Sequence, residues 1–209
     1  MGKISRDTYK RLFILYIIGH FHKGVMGEKR LHKTVYFSSK ELERRPFDFI
    51  RWKHGQYSFD MIPYLTQLCS MGYIKASPLQ VRVPENAGSK YELVEGFQVE
   101  NYKKIVKSIE ANRIHKVEQF IKNIALRYTD EQLTEYAHKD PLYLEKELGE
   151  IMLEENLPDE ISVPMSREAC GDLEISLNPE FVQGLALINN ALTAIDIDWK
   201  RVKSVDKFL

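Results

Sequence analysis

Six histidines, two cysteines and thirty carboxylates are the side chains with which this chain of 209 residues could do chemistry. Metal binding needs ligands that converge. His20, His22, His32, His54, His115 and His138 contain no His-x-x-x-His pair, and Cys69 and Cys170 form no Cys-x-x-Cys. His20 and His22 would point about 200° apart on a helix, too far to share an ion. Nucleophilic catalysis needs a Ser or Cys in a strained turn or beside a base, and there is no Gly-x-Ser-x-Gly elbow. Cys69 falls beside an apolar helical stripe and reads as packing. Cys170 stands among Arg167, Glu168 and Asp172, where acidic neighbours disfavour a thiolate. Glu154-Glu155 and Asp159-Glu160 read as a solvated face. Gly24 and Gly27 precede Lys29-Arg30, a fragment of a phosphate cradle without the clustered glycines such a loop uses. The expectation is no catalytic residue, no metal and no cofactor: a non-enzymatic chain that works by binding.

The elements that would carry a binding surface are mostly helical. Tyr9, Leu12, Phe13, Tyr16 and Ile17 follow helical spacing over 6–22 and predict one buried face. A second helix is expected over about 28–40, with Leu31, Val35 and Phe37 inward. Phe47 and Phe49 alternate with polar residues before Trp52, which predicts a short strand. His54-Gly55-Gln56-Tyr57-Ser58 follows as a turn, with Gly55 needing positive φ and Ser58 capping a third helix to about Met71. Met61, Ile62, Leu65 and Leu68 give that helix a core stripe, Pro63 sits awkwardly in it, and Gly72 stops it. Tyr73-Ile74, Val81–Val83 and Tyr91–Val94 read as strands. This order is winged-helix-like, with an extra strand after the second helix.

Beyond 95 the pattern is helical again. Stripes over 99–109 and 114–128 fit one long helix or two. Thr129-Asp130-Glu131-Gln132 is a capping box and Asp140-Pro141 a second helix start. Residues 157–172 look irregular, Leu173, Ile175 and Leu177 alternate like a strand, and Asn178-Pro179 opens a last helix through Leu185, Ile188, Leu192 and Ile195. The fold class expected is mostly α with a small hairpin: a degenerate winged-helix-like core at 6–95, helices over 99–145, and a C-terminal helical extension at 146–209 that could belong to the same domain.

Charge is distributed unevenly. The net formal charge is zero, yet residues 1–54 carry a balance of +8 and residues 129–180 one of −12. Either the two stretches pack together or they recruit partners of opposite sign. With 44% hydrophobic and 29% charged residues, long disorder is not expected. Two cysteines, no apolar run long enough to span a bilayer and no leader-like segment point to the cytoplasm.

Protein and nucleic acid compete as partners. A winged-helix DNA reader places its third helix in the major groove, with outward Arg, Lys, Asn or Gln. From Ser58 to Met71 there is no Lys or Arg. Phe59, Asp60, Tyr64, Thr66, Gln67 and Ser70 would face outward instead. Trp52, Tyr57, Phe59, Tyr64 and Gln67 are therefore the candidate partner-binding surface, suited to a protein. A winged-helix DNA-binding regulator is the alternative.

The stretch Leu31-His32-Lys33-Thr34-Val35-Tyr36-Phe37 resembles the KLxYF helix of the Panacea domain, a SocA-like antitoxin family. Phe49 to Ser58, with Trp52 and Gly55, is similar to that family's W-x-x-GP turn. Residues 117–143, with His138 and Pro141, look like its downstream motif. Gln56 stands where the pattern has Pro, and Leu142 where it has Trp. The resemblance covers residues 6–145. It implies an antitoxin that neutralises a co-encoded toxin by direct binding or by delivering it to a protease.

Overall fold

The computed structural model describes residues 1–21, 26–78 and 89–184. Helix α1 (Arg6–Ile18) forms its centre, with Ser5 as cap, Oγ accepting the Thr8 amide at 3.2 Å. Periodicity predicts one buried face, but every residue from Thr8 to Ile18 is buried, Ile14, Leu15 and Ile18 among them. The reason is enclosure. Helices α2 (Glu28–Glu41), α3 (Met61–Ser70) and α4 (Val99–Ile109) pack around it, with strands β6 (Ser89–Leu93) and β8 (Glu160–Val163). A helix surrounded on all sides has no polar face to present.

Around α1 the chain is mostly helical with small antiparallel sheets. The two-residue strand β2 (Met26–Gly27) pairs with β6, and β6 pairs with β5 (Ile74–Pro78), giving the order β2-β6-β5. Helix, strand, helix, helix, strand, strand is winged-helix topology. Strand β2 supplies the member between first and second helices that periodicity could not reveal in two residues. The hairpin β3 (Phe49–Trp52)–β4 (Gly55–Tyr57) is inserted between α2 and α3. The strand expected at Val81–Val83 lies outside the described residues.

Helix α3 begins later than expected. Its cap position is Asp60, without a side-chain cap bond, and Ser58 is not the cap. The later start puts Pro63 within the first turn, where a residue without an N–H forfeits no intrahelical bond. Gly72 follows the helix at φ +74°, a conformation that favours glycine.

The stripes of 99–128 prove to be two helices, α4 and α5 (Ile114–Phe120), the latter running into a π-helical turn, Ile121–Ala125. The capping box at Thr129 opens α6 (Asp130–His138), and Asp140 caps α7 (Pro141–Glu145) by accepting the Leu142 amide at 2.9 Å. Strand β7 (Ile151–Leu153) then adds to β3, and β8 pairs with β1 (Gly2–Ser5), from Gly2↔Val163 to Ser5↔Glu160. Leu173–Leu177, whose alternation predicts a strand, is helical up to Ser176. Ser166 caps α8 (Arg167–Ser176), and Cys170, Leu173 and Leu177 are the buried positions, at helical spacing. Asn178 caps a helical stretch over 179–184 by accepting the amides of Glu180 and Phe181. Leu185, Ile188, Leu192 and Ile195 lie outside the described residues.

Met152, Leu153, Leu157, Ile161, Val163, Cys170, Leu173 and Leu177 join the same core as α1. The opposed charges meet in part, here and where α2 faces residues 130–140. Lys3–Glu160 (2.6 Å), Arg6–Glu155 (3.4 Å), Lys10–Glu155 (2.6 Å), Arg30–Asp130 (2.7 Å) and Lys40–Asp140 (2.7 Å) all join the basic stretch to the acidic one. Among the described residues no helix is long and apolar enough to cross a membrane.

Candidate partner-binding surface

The β3–β4 hairpin turns through Lys53 and His54, with Trp52 opposite Gly55 in the register. Neither turn residue takes positive φ; Gly55 does, at +117°. The left-handed position of the hairpin is thus the glycine, the residue that adopts it without strain. A Cβ on Gly55 would lie 3.0 Å from Lys33 Cε and 4.0 Å from Ala137 Cβ. Gly55→Val should therefore cost about 1–3 kcal/mol in backbone strain alone, read as a melting temperature several degrees lower. A variant that melts with the parent protein would contradict this account of the turn.

Three of the five expected surface residues come together here. Phe59 is 51% exposed. Its ring meets Trp52 edge-on at 5.6 Å and Tyr57 at 4.9 Å. Tyr57 stacks on the buried His32 ring at 4.0 Å, and its hydroxyl donates to Glu28 Oε1 at 3.0 Å. That bond and burial raise the Tyr57 pKa, burial foremost. The cluster is braced from below: the Ser58 amide donates to His32 Nδ1 at 3.1 Å. Gln56, where the antitoxin pattern has Pro, is buried and its Nε2 donates to the Ala137 carbonyl at 2.9 Å, tying the hairpin to α6.

Tyr64 and Gln67 are placed elsewhere. The Tyr64 hydroxyl donates to Asp7 Oδ1 at 2.6 Å, and its ring packs against Phe47 beneath Lys10 and Arg11. Gln67 Oε1 accepts from Arg11 Nε at 2.9 Å. Both side chains are engaged with α1, so the aromatic corner is the freer part of the expected surface.

Ile62 was missed. Assigned to the core stripe from sequence, it is 40% exposed, one turn after Phe59. Met61, Leu65 and Leu68 are the buried stripe, and they complete the i, i+4, i+7 pattern without it. The register also sets Ile50 opposite both Tyr57 and Ile151, so half-exposed apolar side chains continue across the three-stranded sheet. Among the described residues no group of His, Cys, Asp or Glu could hold a metal ion. Comparison with family models, curated proteins and solved structures finds no match to this chain.

Proposed function

We propose that this chain is a protein-binding module of antitoxin type, whose contact surface is the aromatic corner Trp52–Tyr57–Phe59 with Ile62. The observation that carries the reading is that corner itself. It is a cluster of three aromatic rings, one of them half in solvent, on a hairpin fixed by buried hydrogen bonds. Rigid aromatic side chains at such a position contribute large contact area with little entropy to lose, which is the composition of interface hot spots. The antitoxin class comes from the resemblance of residues 31–37, 49–58 and 117–143 to Panacea-domain sequences, and the partner it implies is a co-encoded toxin.

Winged-helix topology favours a second reading, a DNA-binding regulator. Against it, α3 stands in the reading position with no Lys or Arg, and its exposed residues are Ile62, Pro63, Thr66 and Ser70.

One set of measurements separates the two. The protein coexpressed with the product of the neighbouring reading frame should relieve its toxicity and copurify with it. Phe59→Asp should weaken that complex by about 30-fold or more, as loss of a hot spot does, while leaving the melting temperature unchanged. Full neutralisation by Phe59→Asp and Ile62→Asp would remove the corner from the interface. Nanomolar binding to the chain's own upstream DNA at about 150 mM salt would favour the regulator.

A further inference from the structure

The sheet β4-β3-β7 has one covered face and one open face. Antiparallel partners share a face, and the pleat sends successive residues to opposite sides. Phe49, Gln56 and Leu153 belong to the inner face, and all three are buried. Ile50, Tyr57 and Ile151 stand in a row on the outer face, one residue from each strand. Ile50 and Tyr57 are half-buried and Ile151 is 46% exposed. Tyr57 joins this row to Phe59, so the aromatic corner is one end of an apolar band that crosses the sheet.

The β7 edge of the band is acidic. Glu147, Glu150 and Glu154 are exposed, and among the described residues no ion pair holds them. Their neighbours are engaged within the fold: Glu155 by Lys10 and Arg6, Asp159 by Arg6, Glu160 by Lys3. Ile151 and Glu154 border a cleft of about 340 Å³, whose walls also include Arg6, Asp48 and Glu155. Arg6 there already serves two carboxylates, and Asp48 Oδ1 accepts the Glu155 amide at 2.6 Å. Carboxylates therefore outnumber cations where the apolar band meets β7. Lys53 and His54 lie on the turn between β3 and β4, away from that edge.

We propose that this face docks an amphipathic helix of a partner protein, apolar along the band and basic where it meets β7. The inference rests on the aromatic corner being the contact surface, and it names the chemistry of what covers it. Three strands about 4.8 Å apart make a face roughly 10 Å wide, the diameter of one helix, and a helix laid on a sheet is a stable layer arrangement. Glu150 and Glu154 lie about 13 Å apart along an extended chain. Lysines two turns apart on a helix, about 11 Å, reach both on their flexible stems. Charge along one side then fixes the orientation of the helix. A second copy of this chain would bring the same carboxylates, and a phosphate backbone would meet like charge.

The test uses a synthetic peptide of about 18 residues, five helical turns, with leucine on one stripe and lysine elsewhere. It is titrated against the full-length protein beside the same peptide carrying glutamate for lysine. The lysine peptide should bind about tenfold or more tightly, and the gap should close as salt rises. Glu147→Lys and Glu154→Lys should each weaken it by about threefold. Asp172→Lys, the same charge change in the groove between α4 and α8, should leave it unchanged. Ile151→Thr keeps a β-branched strand residue and should weaken it by about fivefold through lost burial. Phe59→Ala should weaken it by about tenfold or more. All these side chains are exposed, so the melting temperature should stay with the parent's. Equal affinity for the two peptides, with loss in Phe59→Ala, would keep the corner and overturn the basic helix. A lysine peptide that fails to bind, or that ignores Phe59→Ala, would remove the corner as well. A dimer of the free chain that Ile151→Thr dissolves would give the face to a second copy and overturn the proposal.

Discussion

Residues 1–145 produced alone should give a chain with no cooperative unfolding transition, although this fragment contains the whole winged-helix core and every motif of the antitoxin resemblance. Truncation removes β7, β8 and α8, and with them eight buried side chains of the common core. At about 1.5–3 kcal/mol for each large apolar side chain that loses its burial, the loss matches or exceeds the roughly 5–15 kcal/mol that stabilises a domain. The damage does not stop at area. Strand β1 loses β8, its sheet partner among the described residues, and the Ser5 cap loses Glu174, which accepts from the Ser5 amide, the Ser5 hydroxyl and Thr8 Oγ1. Lys10, with its side chain 7% exposed between the Phe47 and Tyr64 rings, is left without Glu155; breaking a buried pair from one side costs about 3–5 kcal/mol. Urea unfolding followed by circular dichroism, with the full chain beside it, decides the matter. A sigmoidal transition in the fragment at the midpoint of the full chain would refute a single shared core.

Acid should destabilise the protein through His32, from pH 6.5 downward. His32 is 1% exposed, its Nδ1 accepts the Ser58 amide, and its Nε2 has no hydrogen-bond partner. Glu28 Oε1 stands 4.0 Å from Nε2, at the limit of an ion pair, and already accepts the Tyr57 hydroxyl; burial therefore decides, and it lowers the His32 pKa to about 3. The folded chain keeps the ring neutral where the unfolded chain binds a proton. The stabilisation is complete above the unfolded pKa of about 6.5 and is lost as pH falls towards 3. The slope from this one group approaches about 1.4 kcal/mol per pH unit below pH 6.5, so stability should drop by about 2 kcal/mol between pH 6.5 and 4.5. His32→Gln keeps an acceptor for the Ser58 amide and removes the titration. Its unfolding free energy should be lower at pH 7, where the stack on Tyr57 is lost, yet flatter across the same pH range. Parallel curves for the two proteins would show that other groups carry the acid response.

The local signals in this chain were legible because they are made by neighbours in sequence. The capping box at Thr129, the Asp140-Pro141 start, the positive φ of Gly55 and the stop at Gly72 each depend on a few adjacent residues and one hydrogen bond or one steric constraint. The mostly helical class followed from stripes at 3.6-residue spacing. The missing Lys and Arg in the third helix were also visible directly, and they set the choice between protein and nucleic acid as the expected partner.

What the tertiary structure decided depends on which surfaces meet. Apolar residues all around α1 read as an amphipathic helix until the layers enclosing it were known. Leu173, Ile175 and Leu177 satisfy alternation as well as helical spacing over so short a run, and the Ser166 cap with the packing of Cys170 and Leu173 chose the helix. Strand β2 is two residues long and exists only because β6 lies beside it. The separation of Tyr64 and Gln67 from Trp52, Tyr57 and Phe59 follows from their bonds to Asp7 and Arg11, about 56 residues away in the chain. The opposed charges of 1–54 and 129–180 were plain in the sequence. That part of each would meet the other was decided by strand pairing, since β1 with β8 and β3 with β7 bring the two stretches into contact and let ion pairs such as Lys3–Glu160 and Lys10–Glu155 close.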